Sequence, residues 1–159
     1  MKKNKNKNTK RTANLADYYS VGVEVANKIC SVVNGNTYPT DILMKAVCIF
    51  GTRACELLEI DYKTCKGVID TLKMYHPNKY PVDTTFCPIV FPFDKDGKDK
   101  EAFDLAERLL RAPADDTPGG AVQIAVCLCI ISLCDNAHYP LDHMLESIND
   151  LYSHVMKHN

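Results

Sequence analysis

Apolar residues recurring every three to four positions in six separate stretches, prolines confined to the gaps between them, and a fifth stretch that is apolar nearly all round predict an all-α protein. About six helices are expected to pack as a compact bundle around the fifth. A Pro-rich ordered loop over residues 76–98 should interrupt the series.

Leu15, Tyr18, Tyr19, Gly22, Val25, Ala26, Ile29, Val32 and Val33 share one helical face, and Asn34-Gly35 supplies a stop. The second helix is placed at about 39–59, because Pro39 suits a first helical position and Asp41 the positive N-terminal turn. Leu43, Ala46, Val47, Phe50, Ala54, Leu57 and Leu58 then form its inner face. Cys65, Val68, Ile69, Leu72 and Tyr75 make a shorter third helix that Pro77 must end.

Residues 76–98 carry Pro77, Pro81, Pro88, Pro92 and Gly97 around the apolar segment from Phe86 to Phe93, the texture of an ordered loop with room for one short extended piece. Asp99 is suited to cap a fourth helix bearing Phe103, Ala106, Leu109 and Leu110 and ending before Pro113. The turn from Asp115 to Gly120 leads into the apolar fifth helix, which should be the buried central element. The sixth begins at Pro140 and presents Leu141, Leu145, Ile148, Tyr152 and Val155 on one face.

The segments Tyr38-Pro39-Thr40-Asp41 and Tyr139-Pro140-Leu141-Asp142 echo each other 101 positions apart, and Tyr80 to Asp83 repeats the pattern. Because Pro and Asp are favoured at helix starts for backbone reasons, shared capping chemistry explains the echo better than duplication does.

With 46% hydrophobic and 25% charged residues the composition is globular, and one domain over residues 13–159 behind a basic tail over 1–12 is expected. Lys2, Lys3, Lys5, Lys7, Lys10 and Arg11 lie in that tail without an acid. Setting them aside leaves 13 basic residues against 20 acidic, a balance of −7. An acidic body does not attract phosphate backbones, whereas the tail by itself can contact nucleic acid or an anionic surface. Nothing in the N-terminal stretch resembles a secretory leader, and the longest apolar run, Ala121 to Cys134, falls short of the ~20 residues that span a bilayer. A cytoplasmic protein with no membrane helix is expected. In that compartment the eight cysteines should stay reduced.

Glu56 and Glu59 stand three apart on one helix and Glu101 and Asp104 three apart on another, a pattern in which acids can converge on a divalent ion. In these two motifs, Glu56-Leu57-Leu58-Glu59 and Glu101-Ala102-Phe103-Asp104, the chain resembles the all-α nucleoside triphosphate pyrophosphohydrolases. That resemblance implies magnesium held between neighbouring helices and a nucleotide substrate. Gln123 and Val126 stand where the family would place further acids.

Cys127, Cys129, Cys134, His138 and His143 offer zinc-type ligands, but without a Cys-x-x-Cys pair, and Cys127 and Cys129 point to nearly opposite faces of a helix. Cys87 is the one cysteine placed in a loop, where His76 or His138 would have to serve as its base. Gly119-Gly120 at the mouth of the fifth helix reads as a tight capped turn before it reads as an anion site.

The preferred functional reading is a non-enzymatic binding or regulatory protein acting through an acidic helical surface on a macromolecular partner, with no cofactor. Tyr80, Phe86, Phe91 and Phe93 on the Pro-rich loop are its candidate anchors, set against the rival arrangement in which those rings plug the bundle. The alternatives are a magnesium-dependent hydrolase using Glu56, Glu59, Glu101 and Asp104, and a nucleic-acid-associated protein using its tail.

Overall fold

A computed structural model describes residues 15–34, 37–79, 85–86 and 88–158, and the side chains among them from 17 to 154. The described residues form six helices and no strand: α1 (Leu15–Cys30), α2 (Thr40–Leu58), α3 (Tyr62–Leu72), α4 (Lys100–Arg111), α5 (Gly119–Asn136) and α6 (Leu141–His158). The basic tail lies outside the described residues, as do Tyr80, Asp83 and Cys87.

Helix α5 has no polar stripe, so it is stable only where neighbours cover it on every side. Twelve of its eighteen residues are buried, and it packs against α1, α2, α3 and α6. By length and composition alone α5 is apolar enough to cross a membrane, yet 67% of it is covered inside the bundle. Each fully buried Ile or Leu there contributes about 1.5–3 kcal/mol, which is why this helix sits where the core is deepest. One hydrophobic cluster drawing on all six helices surrounds it.

The most extensive packing joins α1 to α5. The two run parallel, since Tyr18 lies against Gly120, Gly22 against Ala121 and Ile124, and Ala26 beside Cys129. Gly22, Ala26 and Cys30 stand four apart and put a strip of small residues at this seam, so the backbones approach closely. On the other side, Gly51 of α2 meets Ile130 of α5 and Ile148 of α6. Helix α4 packs on α2.

Helix boundaries differ from the periodicity reading where backbone chemistry intervenes. The first helix ends at Cys30, and Val32 and Val33 continue only as tighter turns bonded to Ile29 and Cys30. Pro39 sits just outside α2, and its carbonyl accepts the Leu43 amide. Pro118 and Pro140 do the same for Val122 and Met144. The Pro39 and Pro140 segments therefore echo each other in capping geometry. Asp99 stands at the head of α4 but makes no side-chain cap there, because its carboxylate is turned inward to Lys45.

Two helices end on a non-glycine residue in the left-handed region, Glu59 (φ 56°) after α2 and His138 (φ 56°) after α5. In both, the next amide reaches back to close the end, Ile60 to the Cys55 carbonyl at 3.0 Å and Tyr139 to the Cys134 carbonyl at 2.8 Å. The apolar residue that follows each cap, Ile60 or Tyr139, packs into the core.

Candidate functional site

The end of α3 borders a concavity. After Leu72 the helix tightens, with Met74 bonded to Thr71 and Tyr75 and His76 to Leu72, until Pro77 stops it for want of an amide. This turn throws three consecutive side chains onto the surface beside α1. Met74 is 78% and Tyr75 74% exposed.

The turn is pinned from below. The Asn78 amide group donates to the Tyr139 carbonyl at 3.3 Å and its oxygen accepts the Leu141 amide at 3.2 Å, while Asp135 accepts the Lys79 amide at 3.0 Å. These bonds tie residues 76–79 to the α5–α6 corner. His76 is thereby held over α1, where its ring stacks near Tyr19 at 24° between planes and its Nε2 meets the Tyr19 hydroxyl at 2.5 Å.

Two clefts open on either side of His76. The larger, about 530 Å³, is walled by Tyr19 of α1, Val68, Thr71 and Leu72 of α3, Tyr75 beyond it, and Ile124 of α5. Its walls are apolar and aromatic, with the Thr71 hydroxyl and the Tyr19–His76 pair as polar features. The smaller, about 320 Å³, lies along the α1–α5 seam and reaches Asn27, Cys30, Ser132 and Asp135. This mixture of an apolar floor and a few polar groups is the usual make-up of a binding pocket.

The acids of the metal reading are dispersed. Glu56 is half-buried at the end of α2, 3.6 Å from Arg53; Glu59 is the exposed left-handed cap; Asp104 on α4 is held by Lys100 at 2.7 Å; and Glu101 is exposed. Helix α4 starts against Lys45, and its Arg108 reaches the Val32 carbonyl, so it runs away from the Glu56 end of α2. Among the described residues no three His, Cys, Asp or Glu side chains come together to hold a metal ion.

The loop aromatics lean on the bundle. Phe86 packs edge-on to Tyr139 and against His143, Phe91 against Phe93, and Phe93 against Phe103, each of the three half-buried over the core. Tyr80 falls outside the described residues. Gly120 is required by packing, because a Cβ there would stand 2.5 Å from the Tyr18 ring.

The thiols divide into two sets. Cys127 faces Cys65 of α3 at 3.9 Å and Cys129 faces Cys30 of α1 at 3.5 Å, on opposite sides of α5. All seven described cysteines are free. Burial pushes the Cys48 and Cys134 thiols up, and the hydrogen bond that Cys55 donates to Cys65, reinforced by burial, does the same to Cys55.

The cleft was not legible as a site beforehand. Tyr75 reads as a core position by periodicity, and only the tightened turn before Pro77 moves it out. Comparison with protein-family models, curated proteins and solved structures finds no match to this chain.

Proposed function

We propose that this chain is a non-enzymatic binding protein that regulates or assembles with a protein partner, receiving an apolar side chain of that partner in the larger cleft. The observation that supports this is the cleft of about 530 Å³ with Tyr75 exposed in its wall and Met74, the preceding residue, exposed as well. Methionine and tyrosine are residue types that interfaces favour, and an aromatic anchor seated in a concave apolar site is the usual source of affinity. The balance of −7 over the body selects a partner with a basic surface around that anchor, since opposite charge speeds encounter and rejects acidic competitors. The free thiols fit a reducing, cytoplasmic setting.

The test compares the wild-type chain with a Met74→Asp, Tyr75→Asp double variant. Both positions are exposed, so the variant should unfold at the same temperature as the wild type. A partner captured by the wild type is then purified and titrated against both proteins. The reading requires the double variant to bind at least about tenfold more weakly, or ~1.4 kcal/mol, and the wild-type affinity to fall with added salt. Equal binding by both proteins would take the interface away from the cleft.

A further inference from the structure

The strip of small residues on α1 brings two sulfurs together. With Gly22 and Ala26 at the seam, nothing holds α1 off α5, and Cys30 ends with its Sγ 3.5 Å from the Sγ of Cys129. Cys129 is also held from behind, donating to the Ala26 carbonyl at 3.4 Å. Its partner is placed differently. Cys30 is the last residue of α1, only half-buried, and it lines the smaller cleft, so a small solute can reach its sulfur. A second thiol contact, Cys65 with Cys127 at 3.9 Å, is sealed in the core, with exposures of 2% and 0%.

We infer that Cys30 and Cys129 form a peroxide-modification site, in which Cys30 is oxidised from the cleft and Cys129 resolves it to a reversible disulfide. The Cys30 thiolate attacks one oxygen of a hydroperoxide, breaking the O–O bond. Sulfur becomes a sulfenic acid, and the departing hydroxide, or alkoxide, takes up a proton. The Cys129 sulfur then attacks the Cys30 sulfur, the S–O bond breaks, and that oxygen leaves as water with the Cys129 proton. The two thiols lose two protons and two electrons, and hydrogen peroxide is reduced to two waters.

The geometry needs little rearrangement. A disulfide bond is ~2.05 Å long, so the sulfurs close by about 1.5 Å, and residues 31–34 beyond Cys30 are turn rather than helix. The hydrogen bond with Cys129 also favours the Cys30 thiolate, outweighing the opposing effect of burial, while the same contact and burial push Cys129 up. In the neutral pair Cys30 donates to Cys129, whose own proton goes to the Ala26 carbonyl; once Cys30 is ionised, the Cys129 proton must turn from that carbonyl to the Cys30 sulfur.

The experiment treats the reduced full chain with hydrogen peroxide, alkylates the remaining thiols, and maps the products by peptide mass spectrometry. The expected product is a Cys30–Cys129 linked peptide that a dithiol reductant reverses, with Cys30 reacting at least about tenfold faster than buried Cys65. In Cys129→Ala the sulfenic acid on Cys30 should persist and be trapped by dimedone. In Cys30→Ser, a change at a half-exposed helix end, Cys129 should become inert. Absence of the linked peptide in the wild type, or oxidation of the Cys65–Cys127 pair at the same rate, would overturn the assignment.

Discussion

Lys45 of α2 and Asp99 at the head of α4 form an ion pair at 2.8 Å in which the carboxylate is 1% and the ammonium 20% exposed. The second Asp99 oxygen accepts the Asp94 amide, also at 2.8 Å. Both oxygens are thus engaged, and one side chain ties the end of the Pro-rich loop and the start of α4 to α2. Removing one partner of a buried pair leaves the other charge without compensation. Because Lys45 can still reach water, the cost of Asp99→Ala should lie at about 2–4 kcal/mol, measured by urea unfolding. A loss under about 0.5 kcal/mol would place the pair with inert surface bridges.

The same pair sets an acid dependence. Burial by itself would raise the Asp99 carboxyl, but the Lys45 ammonium and the Asp94 amide outweigh it and hold the group below the ordinary carboxylate range. A depressed folded value means that the unfolded chain takes up the proton first, near pH ~3.9. The stabilisation is therefore complete above that pH and is lost as pH falls through the lower folded value. The stability gap between the wild type and Asp99→Asn should be widest near neutrality and shrink on acidification. A gap independent of pH would show that Asp99 is not the group concerned.

Two glycines should respond with opposite signs. A Cβ at Gly22 would stand 2.7 Å from Ile124 Cγ2 and 2.9 Å from its Cβ, whereas one at Gly67 meets nothing within 4 Å. Gly22→Ala forces the α1–α5 seam apart and should destabilise by about 1–3 kcal/mol. Gly67→Ala removes backbone freedom from the exposed face of α3 and should stabilise by about 0.5–1 kcal/mol. Thermal unfolding of the two variants decides both signs.

Glu59 occupies the left-handed cap of α2 with φ 56° and ψ 41°. A side chain is disfavoured there, so Glu59→Gly should raise stability by about 0.5–1 kcal/mol. Glu59→Val, β-branched in the same backbone, should lower it. If glycine destabilises, the carboxylate itself has a stabilising role that its exposed position does not account for.

Much of the helical layout follows from local pattern. The six cores of periodicity correspond to the six helices, since the face of a helix is set by residues three and four apart and Pro39, Pro77, Pro113, Pro118 and Pro140 act on their own neighbours. The buried position of α5 follows likewise from its lack of a polar side. Asp99 was half legible: its place at a helix head is a local property, but its carboxylate turns to Lys45, 54 positions away. Glu59 and His138 as left-handed caps had no signal, because neither is the glycine that usually marks one.

The candidate sites lie on the other side of that divide. Composition and spacing determined an all-helical chain, the approximate places of its six helices and an acidic body, all consequences of composition or of a few neighbouring residues. Only the tertiary structure decided that Gly22 admits Ile124, that Cys30 meets Cys129 across 99 positions, and that Tyr19, Tyr75 and His76 border one cleft. Those meetings depend on which helical faces bury the most surface together without collision, a property of the whole packed chain that no single segment carries.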